Sequence, residues 1–101
     1  MKINFNEEFV EAIIRGNKIT TIRKGRRVYP VGSVVELVAR NETFARARIE
    51  KVEVKKVREL TDEDALRDGF SSKIELIKEL RKIYGSISSE DEVTIVHFTL
   101  I

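Results

Sequence analysis

The sequence has no cysteine, no tryptophan and no glutamine, and only one methionine, one proline and one histidine. Without cysteine there is no disulfide, no thiolate metal ligand and no Cys nucleophile. His97 is the lone histidine, so a Ser-His-Asp triad would depend on it alone. A multi-histidine metal site cannot form within one chain, and no metal or other cofactor is expected. No apolar run near the N-terminus reads as a signal peptide, and none is long enough to span a bilayer. The expectation is a cytoplasmic protein with no membrane partner.

What the chain has is charge. Lys, Arg, Asp and Glu make up 36% of the 101 residues. That length fits one domain, residues 1–101, with a modest core. Many charges with few thermolabile residues are a pattern of heat-adapted proteins, so a thermophilic source is expected. The net charge of +2 is unevenly spread: residues 1–58 hold 14 Lys or Arg against 7 acids, and residues 59–101 hold 5 against 10. A basic first half suits an anionic partner. Alternatively, the two halves neutralise each other across the fold.

The residue pattern gives a coarse order of elements. Asn6 reads as an N-cap, followed by Glu7 and Glu8 where the helix dipole favours acids. Phe5 and Val10 are spaced as a hydrophobic staple. Gly16 suits the helix end, so a helix is predicted over 7–15, with Phe9, Ala12 and Ile13 toward the core. The β-branched residues 19–23 predict a strand, and residues 34–40 another. Residues 44–57 alternate, with Ala45, Ala47 and Ile49 on one face and Arg46, Arg48 and Glu50 on the other. This run is long for one strand, which predicts a bend or bulge near Glu50-Lys51. Thr61 with Asp64 three residues later marks the start of a second helix, and Ser72 with Glu75 reads as a capping box opening a third. Gly69 and Gly85 end them. In the third helix the predicted core stripe is Ile74, Ile77, Leu80 and Ile83/Tyr84. Residues 93–101 predict a final strand. Strands with inserted helices in so short a chain predict an α+β fold: a small, mostly antiparallel β-barrel with about three helices at its side.

The densest chemistry lies between Arg15 and Arg27, which hold six Lys or Arg and no acid. Alternation puts Ile22 toward the core and turns Thr21 and Arg23 outward together, into a cleft. Lys18 and Thr21 are three apart, so they meet only where the chain turns or bulges at 18–19. If they meet, the pair has a chemical meaning. A threonine hydroxyl needs a base to take its proton. A lysine serves as that base when burial or cationic neighbours, here Arg23 and Lys24, lower its pKa. The simpler reading is a basic strand that touches phosphates or nothing. Arg26, Arg27, Arg46 and Arg48 extend such a phosphate-binding surface, each contact adding about 0.7 to the salt slope on a single strand.

Asp62, Glu63 and Asp64 are explained as first-turn helix residues. Asp68 is different. It falls at a helix end, where an acid opposes the dipole, which suggests that it points into the basic cleft and pairs with Lys18 or Arg23. His97, on the face of the last strand opposite Val96, Phe98 and Leu100, reads as structural.

Taken together, GNKITTIR after a short helix, VGSVVEL after a basic turn, LTDEDALRDGFSSKIELIKELRKIY and a closing strand resemble the ASCH domain family of the PUA-like superfamily. The resemblance covers nearly the whole chain. It implies a β-barrel whose cleft is lined by the lysine–threonine segment, with RNA or a modified nucleoside as partner. Some small members of that family are amidohydrolases that remove the acetyl group of N4-acetylcytidine, using a lysine, a threonine three residues on and a glutamate in the helical insert. By resemblance these roles fall on Lys18, Thr21 and Asp68, the acid being one methylene shorter. Arg23 matches an arginine of the same segment. A non-catalytic RNA-binding module and an RNA-cleaving activity remain as alternatives.

Overall fold

The computed structural model describes residues 1–101. Five strands form one curled sheet: β1 (Lys2–Asn4), β2 (Thr20–Lys24), β3 (Val34–Ala39), β4 (Glu42–Lys56) and β5 (Glu92–Leu100). Three helices accompany them: α1 (Val10–Ile14), α2 (Asp62–Arg67) and α3 (Lys73–Tyr84). The sheet order is β1-β3-β4-β5-β2, so β1 and β2 are its two edges. β1 runs parallel to β3, and every other pairing is antiparallel. This is a half-barrel of the expected α+β class.

β4 is the long strand, and its register with β5 shifts between Ile49 and Lys51. The bulge expected at Glu50-Lys51 lets one 15-residue strand serve both ends of the curled sheet. The β3–β4 hairpin turns through Arg40 and Asn41, both with positive φ (50° and 63°). Two central residues in that region match the right-handed strand twist.

β5 lies between β4 and β2 and is apolar on both faces. Val96 and Phe98 join a core with Ile3, Ile13, Val35, Leu37, Ala47 and Ile49. Val93 and Ile95 join a second core with Ile22, Val57, Leu60, Ala65, Leu76 and Leu80. The first core fills the curl of the sheet, and the second glues α2 and α3 to it. His97, next along, takes a 2.7 Å contact between its Nε2 and Glu53 Oε2, a structural pairing between neighbouring strands.

Several elements differ from the sequence reading. β1 is too short for a periodic signal and was not expected; it exists because Ile3 fills the first core beside Leu37. The helix expected over 7–15 divides into a 3-10 turn at Glu7–Phe9 and the short α1, and Asn6 makes no side-chain cap bond. Thr61 and Asp64 form the full capping box, but Ser72 only accepts from the Glu75 N–H, at 3.3 Å. On α3 the buried stripe is Leu76 and Leu80, with Ile77 and Tyr84 partly covered, while Ile74 is 68% exposed. An apolar stripe on a helix is wide enough to permit two facings. The surface offered by Ala65, Val57 and Leu60 selects the one observed.

The charge asymmetry between the halves is largely taken up by ion pairs across them: Lys18–Asp68, Lys55–Asp64, Arg26–Glu92, Lys24–Asp91 and both Lys56 and Arg58 with Glu90. The exposed ones contribute little each. Asp64 is the buried exception besides Asp68. Burial pushes its carboxyl up, but hydrogen bonds from Lys55 Nζ (2.8 Å) and the Thr61 N–H (3.0 Å) outweigh this and hold it below the usual range. A carboxylate with a depressed folded pKa contributes stability above its unfolded value, near 3.9, and loses it as pH falls through the folded one. Unfolding midpoints between pH 5 and pH 2 should therefore fall more steeply for the wild type than for Asp64→Asn; equal slopes would show that Asp64 is not linked to folding.

Candidate functional site

The site forms where three chain ends are tied together. After α1, Gly16 turns the chain with φ +80°, and the N–H groups of Asn17 and Lys18 both donate to Ala12 O. The Ile19 N–H donates to Arg67 O at the end of α2, and Ile19 O accepts from the Phe98 N–H of β5. Lys18 is thereby fixed at the start of β2, against the end of α2. Gly69 allows the approach: it has φ +91°, and a Cβ there would sit 3.3 Å from Lys18 Cβ.

Lys18 Nζ donates to Asp68 Oδ1 at 2.9 Å and to Asp68 O at 3.0 Å. Thr20 Oγ1 donates to the same Oδ1 at 2.9 Å. Lys18 is 5% exposed and Asp68 4%. The ammonium also lies over two aromatic rings, 5.0 Å from the Phe9 centroid and 5.7 Å from that of Phe70. Burial pushes the Lys18 pKa below the ordinary lysine value, against the opposing pull of Asp68. Burial likewise pushes Asp68 up, against Lys18 and Thr20. Both members are driven toward their neutral forms, which is what a dry environment does to a close pair.

Arg23 organises the other side. Its Nε donates to Thr21 Oγ1 at 2.9 Å, a terminal nitrogen donates to Asn4 O at 2.7 Å, and its guanidinium lies 5.4 Å from the Phe5 ring centroid. One side chain thus bridges the two edges of the sheet and holds the Thr21 hydroxyl. Because that hydroxyl accepts from Arg23, its own proton remains free to be given away.

Lys18, Thr21, Arg23 and Asp68 line one pocket of about 120 Å³. Its walls include Phe9, Phe70 and Tyr84. Such a space suits one ring-sized group between aromatic faces. Lys18 and Thr21 share the pocket, but the Lys18 ammonium bonds to Asp68 rather than to Thr21. The other basic candidates lie outside it. Lys24 Nζ donates to Ser86 O, Arg26 pairs with Glu92, and Arg27 Nε donates to Lys24 O. Arg46 and Arg48 are exposed on β4, in register with Glu36 and Val34. No three His, Asp or Glu side chains come together to hold a metal ion.

Two residues escaped the sequence reading. Thr20 supports Asp68 from behind. The basic run gave no signal for this, because Lys18 precedes β2 and lies outside the alternation of that strand. Glu79 of α3 also lines the pocket. It had no local signal, because only the facing of α3 brings it there.

The pair's energetics give a direct check. Removing one partner of a buried ion pair leaves a bare charge and costs about 3–5 kcal/mol, whereas replacing both with apolar groups is close to neutral. Urea unfolding should show Asp68→Ala losing about that much, with Lys18→Met/Asp68→Leu recovering most of it. A double variant no more stable than the single would contradict this account.

The chain superposes on the ASCH domain from Lactobacillus crispatus JV V101 with a TM-score of 0.74 at 15% identity, over 89% of this chain and 68% of that one. It superposes on the hypothetical protein PH0355 with a TM-score of 0.74 at 18% identity, over 100% of both chains. For ASCH from Zymomonas mobilis the values are 0.73 and 17%, over 97% of this chain and 65% of that one. At these identities the likeness is one of fold. No curated protein matches the chain. The family model for the ASCH domain matches residues 2–101, so the chain belongs to the ASCH domain family.

Proposed function

We propose that the pocket binds a nucleoside and hydrolyses an acyl amide on its base, with N4-acetylcytidine as the substrate. One observation carries the reading: a buried Lys18–Asp68 pair lies in the same aromatic-walled pocket as Thr21, whose hydroxyl is held by Arg23. A structural ion pair does not need an open pocket, a free hydroxyl proton or a second cation beside it.

The chemistry follows from these groups. A carboxylate beside a lysine ordinarily raises the lysine pKa and spoils it as a base. Here burial acts the other way on both partners. In the fraction of molecules where the proton has passed to Asp68, Lys18 has a free lone pair. Substrate binding brings Lys18 Nζ within reach of Thr21 Oγ1, as catalytic hydrogen bonds often tighten only on binding. Lys18 takes the hydroxyl proton, and Thr21 Oγ1 attacks the acetyl carbonyl. Arg23 sits beside the attacking oxygen and stabilises the negative charge as it develops. The C–N bond breaks, the amine leaves with the proton held by Lys18, and the acetyl group stays on Thr21 as an ester. Water, deprotonated by Lys18, then releases acetate and restores the hydroxyl.

Purified protein with N4-acetylcytidine, followed by chromatography, should yield cytidine and acetate. Thr21→Ala should lower turnover by at least roughly 10⁴-fold, as removal of a nucleophile does. Turnover should also rise with pH along a limb below the ordinary lysine range, the direction in which burial moves Lys18. Retained turnover in Thr21→Ala would remove the nucleophile assignment.

The exposed Arg27, Arg46 and Arg48 favour a second reading, an RNA-binding module that grips phosphates. RNA held this way loses affinity steeply with salt, by about 0.7 log units per log unit of salt for each phosphate on a single strand. A free nucleoside carries no phosphate. A salt-insensitive Michaelis constant for the nucleoside, with no salt-sensitive RNA affinity, would exclude the module.

A further inference from the structure

The α3 wall of the pocket carries a group that the mechanism above leaves unused. Leu76, Glu79, Leu80 and Ile83 all line the pocket, at the spacing of one helix face. Three of the four are apolar, as a core-facing stripe should be. Glu79 breaks the pattern. Its Oε2 is closed to solvent and has no hydrogen-bond partner within the protein. It is also the only such side-chain atom in the chain. A buried acceptor left without a donor costs free energy, and native proteins rarely tolerate one without a reason. No cation answers it either. Lys18 is committed to Asp68, and Arg23 to Thr21 and Asn4. The charge of Glu79 reaches Lys18 only as a minor influence that raises its pKa.

An acceptor inside a pocket that no donor of the protein reaches is matched by a donor brought from outside. We propose that Glu79 is the ligand-selecting residue of the pocket: its buried Oε2 accepts a hydrogen bond from a ring-borne N–H, so the pocket takes amino-substituted nitrogen heterocycles. Cytosine carries such an edge, so the inference rests on the nucleoside reading and sharpens it. The aromatic walls supply faces for the ring, and Glu79 supplies the directional contact. A ring that offers only acceptors to Glu79 meets a second set of lone pairs and is rejected. Discrimination by an unmatched buried polar group is strong for that reason.

The test uses two probes, cytidine and 2-aminopyridine, the second having the amino-heterocycle edge without a sugar. Binding to the full chain is followed by nuclear magnetic resonance titration for the wild type, Glu79→Gln and Glu79→Leu. Thermal unfolding of the ligand-free variants accompanies it. The expected result is that both probes bind the wild type, and that Glu79→Leu weakens both by roughly tenfold to a hundredfold, the range for a hydrogen bond to a charged group. Glu79→Gln, which keeps a neutral acceptor, should fall between. Ligand-free Glu79→Leu should melt higher than the wild type, since it removes an unsatisfied buried oxygen. If 2-aminopyridine binds in a Glu79-dependent way and cytidine does not bind, the nucleoside reading fails and the selection by Glu79 stands. If both probes bind all three proteins equally, the selection fails and the nucleoside reading stands. If neither binds the wild type, or if Glu79→Leu melts lower than the wild type, Glu79 has a structural role and the proposal is overturned.

Discussion

The contact between Lys18 and Asp68 joins parts of the chain that are 50 residues apart, beside the Ile19 N–H to Arg67 O bond that ties the same two segments. On one side is the start of β2, an edge strand. On the other is the end of α2, in the insert between β4 and β5. An apolar contact at this point would tolerate sliding. A doubly bonded ammonium, braced by Thr20 on the same carboxylate oxygen, does not. The position of α2 and α3 against the sheet, and with it the pocket's far wall, depends on that geometry. The cost is desolvation of two charged groups, and buried pairs seldom recover it fully as stability.

The same constraint explains why the site can be chemically poised. A half-barrel leaves two sheet edges unpaired, and β1 and β2 are those edges. Arg23 spans them, reaching Asn4 O from β2, while the helices cover the gap. The pocket is what remains between the edges. Its floor is apolar where Ile22, Leu76 and Leu80 of the second core line it, and it is polar because the edge strands bring Lys18, Thr21 and Arg23 to it. Burial beside such a floor raises the energy of charged forms and strengthens directed hydrogen bonds. The protein holds three such costs in one place: a buried ion pair, a hydroxyl pinned by an arginine and a carboxylate oxygen with no partner. Concentration of unfavourable features at one site, with two well-packed cores elsewhere, is the usual division between stability and function.

Much of this was legible in the sequence. Alternation in residues 44–57 located β4 and its bulge, since the period of two and the limit on strand length are local properties. The capping pair Thr61–Asp64 located α2. An acid at the wrong end of that helix singled out Asp68 before any contact was known. The basic run singled out Lys18, Thr21 and Arg23 by type, and resemblance supplied the ASCH family. Apart from the resemblance, which spans the chain, each signal lay within a few residues, where propensity and spacing act.

Tertiary structure decided the rest. It split the first helix, added β1 through the burial of Ile3, and turned α3 so that Leu76 and Leu80 face inward and Ile74 outward. It gave the Lys18 ammonium to Asp68 rather than to Thr21, added Thr20 to the same carboxylate, and put Lys24, Arg26, Arg27, Arg46 and Arg48 outside the pocket. It also brought Glu79 into the pocket, which no local pattern encodes. By itself the sequence determined the elements, their order and the residue types available to the site. Which of those residues meet depends on how an apolar stripe wider than one residue row settles against its neighbours, and that choice is made by packing across the whole fold.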